Sequence, residues 1–247
     1  MSNHRQVFFD TETTGLDHRT GHRITEIAAI EVIDGEPTGR VFHSLLNPDR
    51  EVDKEVTEKV TGHTWEMLKD YPRFRDKAQE FLDFIEGAEL IAYNSSFDEE
   101  FVQAELERIK YPRTIWEVAG KTVDALTLSR RILASEKIKN FKLDTLLDYF
   151  EIDRSMREKH DALLDCQLLF KMYQKLMDGV DLSGPSLEDD VPRPAVQYLD
   201  ASKAAAIPAI SVSPEQQSSH EEYLKEMAEA TKVSPVSWGA KPSRPRP

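Results

Sequence analysis

Five ionisable side chains stand out by type and spacing. Asp10 and Glu12 lie two apart in FFDTETTG, directly after the apolar run Val7–Phe9. Alternate residues of a strand face one side, so both carboxylates are expected to project together from a strand's C-terminal end. Two like charges so close are costly unless a cation lies between them. Taken alone, the pair fits an ordinary acidic turn as well as a shared divalent ion. Asp98 sits in YNSSFDEEF, between the apolar LIAY and an amphipathic stretch. By itself it reads as a helix N-cap or first-turn acid favoured by the helix dipole, although strand exits are where α/β sheets present ligands. His160 and Asp165 stand in KHDALLDCQLL. Five residues along a helix turn a side chain well off the starting face. His160 is therefore expected in the loop before a helix, with Asp161 near the N-cap and Asp165 one turn in. A carboxylate beside the Leu164/Leu168 stripe is expensive unless a metal or another charge meets it. His160 alone reads as an exposed loop histidine.

The conjunction says more than any member. Four acids and one histidine come from three separated segments, each starting or ending an element that could converge on one sheet edge. Two divalent ions roughly 3.5–4 Å apart can activate a water and stabilise the leaving oxygen of a phosphodiester. Oxygen-rich ligation suits Mg2+ or Mn2+ rather than zinc. A neutral histidine on a mobile loop can take the water's proton.

The elements that must position these groups follow from apolar periodicity. Val7–Phe9, Ile24–Ile33 and Val41–Leu46 read as three strands, with Asp34–Gly35 as the turn between the last two. Short connections of this kind predict an antiparallel meander. Phe74–Ile85 carries Phe74, Ala78, Phe81, Leu82 and Ile85 on one helical face. Leu90–Tyr93 is a fourth strand, followed by a helix over Glu99–Ile109. Val123–Ile132 reads as a helix, or as a short strand passing into one. Leu143–Tyr149 and Leu163–Leu176 are two further amphipathic helices. The expected class is α/β: a mixed sheet flanked by helices, a meander first and then strand–helix alternation with a parallel pairing.

This domain is expected to span 1–178. From about Asp178 the pattern changes: 179–194 reads as a flexible linker rich in Asp, Ser, Gly and Pro. The tail over 195–247 contains two candidate helices, Ala195–Ala206 and Glu215–Ala230, and a Pro-rich, basic end at Ser234–Pro247. It is too short to build much core and is expected to be largely disordered alone.

Of the 247 residues, 39% are hydrophobic and 31% charged, and the formal net charge is −13. Cys166 is the only cysteine, which precludes a disulfide within the chain and suits a reducing compartment. No apolar run is long enough to span a bilayer and the polar start resembles no signal peptide, so a soluble cytoplasmic protein is expected. A net charge of −13 is unusual for a chain that grips long duplex, where phosphate contacts dominate. Two readings survive: no contact with nucleic acid, or contact with a few nucleotides at a strand end, held through metal ions.

FDTETTG, NSSFD and HDALLD resemble the three exonuclease motifs of the DEDDh superfamily, in order and at compatible spacing over residues 5–178. The histidine five residues before the last acid marks that branch rather than the DEDDy one. The likeness is closest to the epsilon proofreading subunits of bacterial DNA polymerase III, whose GAEL segment is matched by Gly87–Leu90. The resemblance implies a ribonuclease H-like fold. It implies removal of mismatched nucleotides from single-stranded or frayed 3′ DNA ends, with release of nucleoside 5′-monophosphates. It further implies that Asp10, Glu12 and Asp165 hold a first metal, that Asp10 also binds a second with Asp98 acting through water, and that His160 is the general base. Thr13, Leu16, Thr61, Asn94 and Phe97, with His160, would lie beside the terminal nucleotide. Where epsilon subunits often show His-Gly-Ile, this chain has Thr61-Gly62-His63. Other relatives carry Thr-Gly there, which gives Thr61 the substrate-facing place and leaves His63 without an assigned role.

The tail resembles the epsilon segment that docks on the polymerase catalytic (alpha) subunit. Ala201-Ser202-Lys203, Ser213-Pro214-Glu215, His220-Glu221, Leu224 and Trp238 follow a similar order. Isolated apolar anchors such as Tyr198, Tyr223 and Trp238 on a polar segment suit folding on a partner. Val180–Leu187 lacks the glutamine and aromatic of a clamp-binding motif, so a sliding-clamp partner rests on the resemblance alone. Two other roles stay open: a stand-alone nuclease acting on RNA ends or in DNA repair, and an idle scaffold bracing a polymerase. The complete acidic set argues against the scaffold.

Overall fold

The computed structural model describes residues 4–52, 60–157 and 159–178. The expected linker, the tail helices, the polymerase-docking matches and the clamp-motif region all lie outside the described residues.

Five strands, β1 (Arg5–Thr13), β2 (Ile24–Ile33), β3 (Glu36–Leu45), β4 (Glu89–Ala92) and β5 (Lys121–Asp124), form one sheet in the order β3-β2-β1-β4-β5. The first three make the expected antiparallel meander. Asp34 and Gly35, which join β2 to β3, both have positive φ, 50° and 83°, the backbone that a tight two-residue hairpin demands. β4 pairs with β1 and β5 with β4, both in parallel. The helices are α1 (Trp65–Leu68), α2 (Phe74–Ile85), α3 (Ser95–Arg108), α4 (Ile115–Val118), α5 (Ala125–Ile132), α6 (Leu143–Tyr149) and α7 (Ala162–Met177).

Several boundaries differ from the sequence expectation, and two differences matter for the site. β1 does not end near Phe9: it pairs with β2 as far as Thr13, so Thr11 and Thr13, whose branched side chains suit strands, extend it through both acids. α3 begins at Ser95 rather than Glu99, which places Asp98 in its first turn. Over 123–132 the second alternative holds, with Val123 and Asp124 ending β5 and Asp124 capping α5 through the Leu126 N–H. The four-residue helices α1 and α4 were not anticipated. Each is capped by a threonine, Thr64 and Thr114, and is too short to show an apolar period.

The alternation of β1 divides the core in two. Val7 and Phe9 join Phe81, Ile85, Phe101 and Val102 of α2 and α3 on one face. Phe8 joins Leu146 of α6 and Leu168, Leu169 and Met172 of α7 on the other. Phe8 meets Phe170 and Tyr173 edge-to-face at 5.3 and 5.4 Å. By the same alternation Asp10 and Glu12 continue the Phe8 side, toward α7, while Thr11 faces α3.

Candidate active site

The acids arrive from both helical layers at the C-terminal end of β1. Asp10 and Glu12 stand opposite Ala28 and Glu26 of β2. Asp165 lies in the first turn of α7, whose N-cap Asp161 accepts from the Leu164 N–H at 2.8 Å. Asp98 belongs to the opposite layer and is tied to the strand by Thr11, which donates its backbone N–H at 2.9 Å and its hydroxyl at 2.7 Å to Asp98 Oδ1. His160 precedes α7 on an exposed loop, anchored where its N–H donates to the Val60 carbonyl at 3.0 Å. Its Nδ1 lies 3.3 Å from Asp165 Oδ2 and 4.0 Å from Glu12 Oε1.

A side chain that the sequence did not single out reaches into this group. Arg157, with 8% of its side chain exposed, grips Asp165 with Nε at 2.5 Å and Nη2 at 2.7 Å. It also bonds Asp144 through Nη1 and lies 2.9 Å from His160 Nδ1 through Nη2. A lone arginine in the loop MREKH carries no periodic or motif signal, so only the folded chain reveals it. Glu26 is the second omission. It is buried on β2, held by His43 Nε2 at 2.6 Å and approached by His63 Nε2 at 3.4 Å. The charge within the apolar run ITEIAAIEVI was the available signal, but its partners are distant in sequence. His63 also meets Thr25 Oγ1 through Nδ1 at 3.2 Å, so it belongs to the Glu26 cluster.

The electrostatics follow from this crowding. Burial, with Asp98, Glu12 and Asp165 nearby, holds the Asp10 carboxyl well above the ordinary range. Burial, together with Asp165 and Glu26, pushes Glu12 up to about 8. Burial pushes Asp98 up to about 7 despite its two Thr11 hydrogen bonds. Asp165 goes the other way: burial alone would raise it, but Arg157 and His160 bring it below the ordinary range. Three acids thus resist ionisation and the fourth ionises because a guanidinium faces it. Donor atoms of Glu12, His160 and Asp165 lie within 4.8 Å of one another, and the surrounding acids supply hard oxygen donors. This donor set fits a divalent cation of the magnesium or manganese kind.

A stability prediction follows. Groups whose folded pKa is raised contribute stability that is complete below their unfolded values, here 3.8 and 4.5, and that is lost as pH rises through about 7 and about 8. Without metal, the thermal midpoint should therefore fall between about pH 5 and pH 8. The rise on adding Mn2+ should grow over the same window, because the cation favours the ionised forms. Scanning calorimetry in EDTA and in Mn2+ reads both; a metal-free midpoint that is flat or rises across that window would contradict the coupling.

The remaining expected residues are spread around the acids. Thr13 ends β1 and donates its hydroxyl to the Gly15 carbonyl at 2.7 Å. A Cβ on Gly15 would stand 2.3 Å from the His22 ring, which would have to shift to admit one. Leu16, next in this turn, is 86% exposed. Asn94 caps α3 in a left-handed conformation with φ 62°, and its N–H donates to Asp124 Oδ1 at 2.9 Å. Phe97 is half-buried against Phe101, ring centroids 4.9 Å apart. Thr61 is buried and accepts the His63 N–H at 3.1 Å.

Comparison with known proteins identifies the family to which the chain belongs. The exonuclease family profile, of the RNase T type, matches residues 7–173. The chain is 41% identical over 179 residues to the DNA polymerase III subunit epsilon of Rickettsia conorii, covering 72% of this chain and 76% of that one. With the Salmonella typhimurium subunit epsilon it shares 37% over 228 residues, covering 89% and 92%. With that of Escherichia coli it shares 40% over 179 residues, covering 71% and 72%. Among solved structures, E. coli exonuclease I, crystallised with single-stranded DNA and zinc, superposes with a TM-score of 0.62 at 20% identity. That likeness covers 72% of this chain and 41% of exonuclease I, and it bears on the fold alone. The chain belongs to the exonuclease family, and within that family to the epsilon subunits of DNA polymerase III.

Proposed function

We propose that this chain is a metal-dependent 3′→5′ exonuclease that removes mismatched nucleotides from DNA 3′ ends as a subunit of DNA polymerase III, releasing nucleoside 5′-monophosphates. The supporting observation is the meeting of four carboxylates from three chain segments at one strand end, with a half-exposed imidazole beside them. Asp10, Glu12 and Asp165 would hold one Mg2+ or Mn2+, and Asp10 would also bind a second, with Asp98 acting through water. When bound, the ions polarise the phosphodiester and lower the pKa of the attacking water. His160 accepts the water's proton, as its loop position beside Glu12 and Asp165 allows. Thr13, Leu16, Thr61, Asn94 and Phe97 orient the terminal nucleotide.

The tail over 195–247 is assigned to the polymerase alpha subunit. Such a partner would supply the grip on DNA that a chain of net charge −13 lacks. The compartment is assigned to the cytoplasm, where a subunit of a replicative DNA polymerase would act.

The test is degradation of 3′-labelled DNA, paired or mispaired at the end, beside single-stranded RNA, in Mg2+ and in Mn2+. Faster loss of mispaired and single-stranded DNA ends, abolished in His160→Ala, is expected. An intact DNA end in Mn2+ would sink the reading, and preferential loss of RNA would move the chain to RNA processing.

A further inference from the structure

On a chain of net charge −13, one exposed segment has the opposite sign. Between residues 130 and 142 stand Arg130, Arg131, Lys137, Lys139 and Lys142, all exposed, against Glu136 as the one acid. Elsewhere in the described residues cations are mostly neutralised: Arg5, Arg23, Arg40, Arg73, Arg108, Arg113, Arg154 and Arg157 all face carboxylates within 4 Å. The five cations of this segment form no ion pair with any described carboxylate, and Glu136 is directed to the Tyr149 hydroxyl. Five unneutralised charges on one short connection repel one another. Such a stretch attracts a polyanion.

Its position selects which polyanion. The segment runs from the end of α5 to the start of α6, and its hydrogen bonds lead to the site from two directions. On one side, Tyr93 donates its hydroxyl to the Phe141 carbonyl at 2.5 Å. Tyr93 directly precedes Asn94, the cap of the helix that carries Asp98. Asp124, which caps α5, accepts the Asn94 N–H at 2.9 Å. On the other side, Asp144, two residues beyond Lys142, bonds Arg157, which grips Asp165. The segment's C-terminal end is thus tied at Phe141 to the residue before the cap of the Asp98 helix, and through Asp144 to the arginine that grips Asp165.

We propose that the segment 130–142 is a phosphate track: it binds the backbone of the single strand a few nucleotides behind the end being cut. This rests on the exonuclease reading and adds a second zone of substrate contact, read through charge and without base specificity. The acidic cluster repels a strand's phosphates unless cations intervene, and the track offsets that repulsion next to the site.

Two substrates separate the track from the site. The p-nitrophenyl ester of thymidine 5′-phosphate offers a scissile phosphate and no upstream backbone; a single strand of about 16 nucleotides spans a full binding groove. In the full-length protein with Mn2+, Arg131→Gln/Lys137→Gln/Lys139→Gln should hydrolyse the ester at the wild-type rate. On the strand its kcat/KM should fall about tenfold or more at low salt. Its decline with salt should be shallower, by about two in log–log slope, since each single-strand phosphate contact contributes about 0.7. Charge reversal at the same positions should deepen the loss on the strand only. Equal losses on ester and strand would show that the segment acts through Tyr93 or Asp144 on the site's geometry, overturning the track. Unchanged kcat/KM on both substrates would overturn it too and leave an acidic protein surface as the occupant. A wild-type protein inert toward both would remove the exonuclease reading itself, and the track with it.

Discussion

Asp10→Asn is expected to abolish hydrolysis of a single-stranded 3′ end while making the metal-free protein more stable. The loss should reach about 10^3-fold, the upper range when one preorganised charge-stabilising group is removed, because Asp10 is assigned to both metal ions. The gain in stability has the same origin. Burial opposes ionisation of Asp10, and Asp98, Glu12 and Asp165 oppose it further. An amide of nearly the same shape removes the repulsion and keeps the volume. Each kcal/mol moves the midpoint of a domain this size by about 2–4 °C, so a rise of several degrees in EDTA at neutral pH is expected. The rise that Mn2+ gives the wild type should largely disappear in the variant. Full activity of Asp10→Asn in Mn2+ would remove the site assignment, though not the fold. A lower metal-free midpoint would show that Asp10 is held by bonds an amide cannot make, and is not strained by like charge.

Opposite effects on activity and stability are what distinguish these acids from structural ones. A carboxylate such as Glu105, bound through both oxygens by Arg23 at 2.6 and 2.8 Å, has its compensation built in. Asp10, Glu12 and Asp98 do not, and the fold tolerates the deficit because three chain segments are pinned independently. The β1–β2 register fixes Asp10 and Glu12, the Thr11 hydrogen bonds fix Asp98, and the Asp161 cap fixes the start of α7.

How much of this was readable in the sequence depended on the range of the signal. Asp10 and Glu12 could be paired because a strand's period of two is local, and the start of α7 because Asp161 and the Leu164/Leu168 stripe announce a helix. The length of β1 was not readable: Thr11 and Thr13 look like part of a turn until β2 supplies the partner that draws them into the sheet. Asp98 lay one turn inside a helix that starts earlier than its apolar pattern, because Asn94 caps it with left-handed backbone. Arg157 was beyond local reading, and Glu26 offered only a charge within an apolar run. Their roles are set by Asp144 and Asp165 in one case, and by His43 and His63 in the other.

Arg157 supports the second large effect. Its guanidinium donates to both oxygens of Asp165, bonds Asp144 and lies against His160 Nδ1. It is therefore the cation that compensates the site in the metal-free protein. Replacing it with methionine keeps much of the packing and leaves the buried carboxylate with only the half-exposed His160 beside it. Breaking one side of such a pair costs about 3–5 kcal/mol, which in a domain of this size is a fall of roughly 10 °C in EDTA. A divalent cation offers the same compensation at the same carboxylate. Mn2+ should thus restore most of the lost stability, and it should bind Arg157→Met more tightly than wild type because no guanidinium competes for Asp165. Calorimetric titration with Mn2+ reads the affinity without reference to catalysis. Weaker Mn2+ binding in Arg157→Met would reverse the assignment: Arg157 would then be a brace that holds Asp165 in place for the ion. An unchanged metal-free midpoint would show that water already compensates Asp165.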